Sequence, residues 1–256
     1  MPGAPRIELD SRAPEAVDGR QIRAVAFQEA RLAYVRTALT GVGLCASGSR
    51  ALVVGSGRGL LARGLAGLGF EVVAADPSAA ATELAREAHG PERPGIVYLT
   101  APAEELGLVD ASFDLVYCAD TFEITSRLDR VLAEAARVLR PGGALVYDTV
   151  NRTPLSRLIY LGAFQRFPTT RIMPAGRYAA DRLRTPAELA AALDRHGLRQ
   201  EDVCDFRPKD PVRLVRATVA RRRGRITDER IPSLVEVVLA PGARPLVTYL
   251  GYARRV

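Results

Sequence analysis

An α/β fold with a doubly wound, mostly parallel sheet is predicted by three observations. Short apolar runs alternate with helix-periodic segments from Arg50 to Thr149, the order that builds parallel strands with right-handed crossovers. The run Ala51-Leu52-Val53-Val54 ends in Gly55-Ser56-Gly57-Arg58-Gly59 and then in a helix-forming stretch. A second apolar strand, Glu71-Val72-Val73-Ala74-Ala75, ends in an acid, Asp76.

The glycine turn lets the backbone approach a ligand where a Cβ would collide. The helix after it points free N–H groups at that ligand. Asp76 stands where an acid accepts hydrogen bonds from both ribose hydroxyls of a nucleoside. The spacing suits NAD, but Gly-x-Gly-x-Gly rather than Gly-x-Gly-x-x-Gly favours S-adenosylmethionine (SAM). The alternative is a tight strand–helix turn with no ligand.

The 256 residues suffice for one large domain. Hydrophobic residues at 48% and charged residues at 25% place the chain among ordinary globular proteins. A net charge of +7 opens nucleic acid, anionic membrane and acidic substrates as partners. Much of that excess is arginine in an Ala/Arg/Gly-rich chain, which lowers its weight. Cys45, Cys118 and Cys204 form no metal or redox spacing and point to a reducing compartment. Met1 to Arg12 has no apolar signal region, and no run of eighteen apolar residues exists. A cytoplasmic protein is expected.

In chain order, residues 1–45 are expected to form a polar, Pro-rich arm and a helical lid. Residues 46–256 form the main domain. Arg23 to Leu39 is helical, with Val25, Leu32, Val35 and Leu39 at apolar positions; it either lids the cofactor pocket or merely packs. Thr82 to Ala88 continues a helix that His89-Gly90 ends. Ile96 to Leu99 and Phe113 to Cys118 are the third and fourth strands. Leu128 to Leu139 is a helix that stops at Arg140-Pro141-Gly142-Gly143. Ala144 to Thr149 is the fifth strand.

Beyond Asn151 the alternation breaks. Segment 151–184 lies on the substrate side, and its apolar stretch 155–167 carries Arg157 and Arg166. It is expected to roof the substrate pocket, with peripheral membrane contact as the competing reading. Thr185-Pro186-Ala187-Glu188 opens a helix with a capping box. Segment 208–240 is a basic insertion, read as a strand or amphipathic element with a solvated basic face rather than a nucleic-acid site. Leu246 to Tyr252 is the last strand.

The glycine loop, Asp76, the entry Asp110-Ala111-Ser112-Phe113-Asp114-Leu115-Val116 and the exit Arg137-Val138-Leu139-Arg140-Pro141-Gly142-Gly143 resemble class I SAM-dependent methyltransferases. Thr149-Val150-Asn151-Arg152-Thr153-Pro154, Gly162-Ala163, Pro174-Ala175-Gly176 and Thr185 to Leu189 resemble the ubiquinone-biosynthesis O-methyltransferases within that class. Val247-Thr248-Tyr249 resembles that family's final strand. The resemblance implies a Rossmann-like sheet of seven strands with the last reversed. It implies that Gly55, Ser56, Gly57 and Gly59 line the methionine part of SAM. Asp76 would hold the ribose, with Pro77 and Ser78 beside the adenine. Pro102, Ala103 and Glu104 would flank the adenine, and Cys118, Ala119 and Asp120 would run past the sulfonium.

The departures concern chemistry. The family's Glu-x-x-Glu-His, suited to a divalent metal, is here Asp120-Thr121-Phe122-Glu123-Ile124. Its Thr-His-Asp is here Arg177-Tyr178-Ala179. Methyl transfer to a phenol needs positioning and a base or metal. Asp120 and Glu123 are the candidates, as base or as weak ligands of an ion such as Mg²⁺; orienting SAM and capping a helix are the alternatives. Tyr178 would position or deprotonate the acceptor, or line the pocket. Asn151 and Arg152 would bind an oxygen-rich substrate, or simply close a loop. His89 and His196 read as helix-end caps. The acceptor is expected to be a small phenolic, quinol-like or natural-product hydroxyl. Carbon or nitrogen acceptors, a nicotinamide oxidoreductase and a non-catalytic SAM-binding module are the competing readings.

Overall fold

A computed structural model describes residues 5–13, 15–90 and 95–256. The strands are β1 (Arg50–Val54), β2 (Glu71–Asp76), β3 (Ile96–Thr100), β4 (Phe113–Cys118), β5 (Leu139–Val150), β6 (Leu198–Pro208), β7 (Val237–Pro241) and β8 (Thr248–Arg255). They form one sheet in the order β3-β2-β1-β4-β5-β8-β6-β7. The pairs among β1 to β5 are parallel, and β8 runs antiparallel to both β5 and β6. The order turns back at β1, so the carboxyl ends of β1 and β4 flank the crevice where such sheets bind ligands.

Helices cover both faces. Leu52 and Val54 point into one core with α4 (Leu128–Val138) and α6 (Pro186–Asp194). Ala51 and Val53 point into the other with α1 (Gly19–Val42), α2 (Leu60–Gly67) and α3 (Ala79–His89). Two-sided burial is why these strands read as unbroken apolar runs. A third apolar cluster caps the carboxyl ends of the strands. It joins Val17 and Ile22 to Tyr160, Met173 and Tyr178, and to Ala217, Ile231 and Val235.

Three expectations need correction. The sheet has eight strands, not seven, because β7 in the basic insertion pairs antiparallel with β6 at the edge. The same insertion first forms α7 (Pro211–Arg222), capped by Asp210, so it supplies both a helix and a strand. Its basic face is partly structural: Arg221 is buried and its Nε lies 2.6 Å from Asp228 Oδ1.

The N-terminal arm, of which residues 1–4 and 14 lie outside the described residues, packs against the start of α1. Ile7 bridges to Val17, and Asp10 N donates to Asp18 Oδ2 at 2.8 Å. Asp18 also caps α1 by accepting from Arg20 N and Gln21 N. The helix therefore begins four residues before Arg23.

Candidate active site

Gly55, Gly57 and Gly59 have φ of 75°, 52° and 71°, backbone that L side chains rarely adopt. A Cβ on Gly55 would stand 2.5 Å from Ala119 O, so the turn lies hard against the exit of β4. Beside it opens a cavity of about 400 Å³ lined by Gly55, Pro77, Ser78, Pro102, Ala103, Glu104 and Asp120. Residues predicted to hold a nucleoside thus converge from four separate loops.

Asp76 is fully buried at the end of β2. Gly57 N donates to its Oδ2 at 2.8 Å and Ser78 N to its Oδ1 at 2.9 Å. Arg20 Nη2 pairs with the same Oδ2 at 2.5 Å, so a guanidinium covers the acid expected to meet a ribose. Cys118 is buried in the core under β4 and does not line the cavity; Ala119 and Asp120 do.

Asp120 follows with φ of 47°. That turn aims its carboxylate at α1, where two buried arginines meet it. Arg23 Nε donates to Asp120 Oδ1 at 2.9 Å, and Arg31 Nη2 to Asp120 Oδ2 at 2.8 Å. Arg31 Nη2 also donates to the buried Asp148 at 2.7 Å. Thr121 O accepts from Ile124 N and Thr125 N, which closes one helical turn and brings Glu123 to the same place. Glu123 Oε1 lies 3.4 Å from Arg23 Nη2, and Oε2 accepts from Thr149 Oγ1 at 3.0 Å.

Burial raises the Asp120 carboxyl, but the two guanidiniums outweigh it and hold the group well below the usual carboxylate range. Glu123 goes the other way: burial, then repulsion from Asp120, push it up to about 7 against Arg23. Burial pushes Asp148 up to about 6 against Arg31. Two similar carboxylates three residues apart are thereby split into one fixed anion and one acid poised near neutrality.

A divalent metal does not fit this donor set. All four oxygens of Asp120 and Glu123 already face a guanidinium or a hydroxyl. No cluster of three His, Cys, Asp or Glu suited to a metal occurs among the described residues. The expected metal pair is instead an acid–arginine network.

Of the other candidates, Asn151 and Arg152 lie away from the network and Tyr178 stands beside it. Asn151 fastens a loop: Nδ2 donates to Pro245 O at 2.7 Å and Oδ1 accepts from Arg152 N at 2.8 Å. Arg152 turns outward to pair with Glu188. Tyr178 is buried with its ring edge-on to Tyr160 at 5.0 Å, and burial pushes its phenol up to about 12. It walls the acid–arginine network and is too weakly acidic to serve as a base near neutrality. His196, just past the end of α6, has its Nε2 3.1 Å from Asp129 of α4, and His89 lies edge-on to Tyr98 at 5.9 Å.

The sequence reading missed Arg20, Arg23, Arg31 and Asp148. Arg23, Phe27 and Arg31 recur every four residues, which puts two arginines on an otherwise apolar stripe of α1. Asp148 is a lone acid inside the apolar run of β5.

On the far side of Arg23 lies a second cavity of about 310 Å³. Ile22 and Phe27 of α1, Ile159, Tyr160 and Phe164 of the substrate-side segment, and Leu214 and Val215 of α7 give it apolar walls. The substrate-side segment turns here through the helix α5 (Pro154–Arg157) and a π-helical turn, Leu158–Ala163.

Residues 52–147 match the family model described as "Methyltransferase domain". The ubiquinone biosynthesis O-methyltransferase of Xanthomonas euvesicatoria is 35% identical over 188 residues, 73% of this chain and 75% of that protein. Its counterpart in Xylella fastidiosa is 32% identical over 200 residues, 77% of this chain and 76% of that protein. Among solved structures, a SAM-dependent methyltransferase from Mesorhizobium loti is 26% identical and superposes with a TM-score of 0.56 over 86% of this chain and 96% of its own. One from Thermotoga maritima shares the fold at 19% identity, with a TM-score of 0.61 over 92% of each chain. Sequence and fold agree: the chain belongs to the class I SAM-dependent methyltransferases.

Proposed function

We propose that this methyltransferase acts on the hydroxyl of a small phenolic or quinol-like acceptor. The observation that carries the reading is the buried acid–arginine network between the two cavities: Arg23 lines the apolar one, its partner Asp120 lines the cofactor one, and Glu123, which burial pushes up to about 7, lies 3.4 Å from Arg23. A phenol needs a base tuned to that range. The named activity of the curated relatives supports the same acceptor class.

Gly55, Ser56, Gly57 and Gly59 would hold the methionine part of SAM. Pro77, Ser78, Pro102, Ala103 and Glu104 would enclose the adenosine. Asp76 would take the ribose hydroxyls once Arg20 withdraws; Asp10 stands 2.9 Å away as a second partner for that guanidinium. Bound SAM supplies an electrophilic methyl: the acceptor oxygen's lone pair forms the C–O bond as the S–C bond breaks with its electrons left on sulfur. Glu123 would take the acceptor proton on Oε1, which Arg23 approaches only to 3.4 Å, and later release it to water. Asp120 stays ionised and positions, held by Arg23 and Arg31. The metal reading has no step here, because the guanidiniums of Arg23 and Arg31 already sit against the carboxylates where a cation would have to bind. Residues 1–45 would act as arm and lid to the domain 46–256.

Leu155, Leu158 and Phe167 are exposed on the substrate-side segment, next to Arg157 and Arg166. That pattern supports peripheral contact with an anionic membrane while the cavity takes up its substrate. Among the described residues no helix is long and apolar enough to cross one.

A screen of phenols, amines and carbon acids with labelled SAM tests the proposal. A methyl placed on phenolic oxygen is expected. A product methylated on nitrogen or carbon overturns the acceptor class and leaves the cofactor assignment standing.

A further inference from the structure

We propose that the Arg23 guanidinium receives the acceptor's phenolic oxygen, and that the hydroxyl of Tyr160 holds that place until the acceptor arrives. The inference rests on the O-methyl reading above.

Arg23 links two spaces through its partner Asp120. Its side chain lines the apolar cavity. Its Nε reaches Asp120 at 2.9 Å, and Asp120 lines the cofactor cavity. The other charged side chains lining the apolar cavity are Asp205 and Arg207, which pair with each other at 3.1 Å. An acceptor with its ring in that cavity and its oxygen toward Asp120 therefore meets Arg23. A guanidinium keeps its charge at any ordinary pH and offers N–H groups in a planar fork. In a water-poor site it favours phenolate over phenol, so the acceptor loses its proton more easily.

A second observation points to the same ligand. Arg23 already holds a phenol. Its Nη1 donates to Tyr160 Oη, and its Cζ lies 5.1 Å from the Tyr160 ring centroid. Tyr160 is carried by the π-helical turn Leu158–Ala163, a rare geometry frequent at functional sites. Its ring meets Tyr178 and Phe164 edge-on at 5.0 and 5.2 Å, in an aromatic box that suits a second phenol equally well. Rotation of Tyr160 away from Arg23 would free one N–H for the acceptor while the Asp120 and Glu123 contacts persist.

Two acceptors separate this role from a structural one: nitrocatechol, largely ionised in a mildly alkaline assay, and tert-butylcatechol, which is not. In Arg23→Met, turnover of tert-butylcatechol is expected to fall by about 100-fold or more, as for loss of one oxyanion donor. Nitrocatechol should lose far less, because its phenolate needs no help to form. Arg23→Lys keeps the charge and should show the same difference at smaller amplitude, even if the Met variant folds poorly. Tyr160→Phe should lower the KM for tert-butylcatechol. Calorimetric binding of S-adenosylhomocysteine confirms that each variant retains its cofactor site. Equal losses for the two catechols in both Arg23 variants overturn the Arg23 assignment. A raised KM in Tyr160→Phe overturns the role of Tyr160. If the unaltered enzyme methylates amines and neither catechol, the O-methyl reading itself has failed.

Discussion

Arg20 and Glu123 show how one side chain's surroundings set its part. Arg20 covers Asp76, so if Asp76 holds the ribose as proposed, cofactor binding breaks that pair. Asp76→Ala should weaken S-adenosylhomocysteine by about 1.5–3 kcal/mol for each hydrogen bond lost to the charged group, read by calorimetry. Unchanged affinity would remove Asp76 from the ribose site. Glu123 has a raised pKa, so the folded state keeps a proton that the unfolded chain has given up. Its contribution to stability is full below the ordinary carboxylate range and fades as pH rises through about 7. In Glu123→Gln that fading disappears. Denaturant midpoints should show the variant gaining on the parent between mildly acidic and mildly alkaline pH, by on the order of 2 kcal/mol. A constant difference across that range would place the Glu123 pKa near its ordinary value. Because two guanidiniums already sit against the carboxylates of the network, EDTA should leave turnover unchanged, and loss of activity restored by Mg²⁺ would contradict that arrangement.

Helix ends and strand edges decide what sequence can reveal at the next scale. The parallel strands β1, β2 and β4 were legible because burial on both faces makes them continuous apolar runs, and β3 as a short β-branched run although Val97 faces outward at the sheet edge. The capping box of α6 was legible for a local reason: Thr185 accepts from Glu188 N while Glu188 reaches back to Thr185 N at 2.9 Å. Strand β6 was not legible. Its Arg199-Gln200-Glu201-Asp202 run is polar, and an irregular register between Gln200 and Asp202 breaks the alternation. The start of α1 was hidden because Arg20 and Arg23, polar in sequence, face buried acids rather than water. The cofactor loops were legible through spacing, but the acid–arginine network was not, since Arg23 and Asp120 are 97 residues apart. Asp18 caps α1, accepts from Asp10 N and pairs with Arg58 at 2.9 Å. Asp18→Ala should therefore cost more than Thr185→Ala, whose loss is that of one ordinary cap, about 1 kcal/mol. Thermal unfolding of the two variants checks the order, and equal losses would show that the arm adds nothing to the cap.

At the scale of the molecule, the two faces of the sheet serve stability, and the third apolar cluster serves the site. That cluster ties the arm, the substrate-side segment and the basic insertion over the carboxyl ends of the strands. The apolar cavity opens among exposed side chains from two of these pieces, Leu155 of α5 and Val215 of α7. Leu158→Asp with Phe167→Asp should reduce co-sedimentation with anionic vesicles while S-adenosylhomocysteine still binds; unchanged sedimentation would leave that face as a pocket roof alone. The proposed chemistry centres on Glu123, a buried carboxyl tuned to neutrality beside the arginine that links the two cavities, taking the acceptor's proton. The most direct test is the pH profile of kcat for Glu123→Gln beside the parent, with a phenolic acceptor at saturation. The parent should gain activity with pH through an apparent pKa near 7 that belongs to the coupled network. The variant should lose that limb and about 100-fold or more in rate, the size expected for a general base, while binding S-adenosylhomocysteine as before. The same limb and a similar rate in the variant would contradict the account.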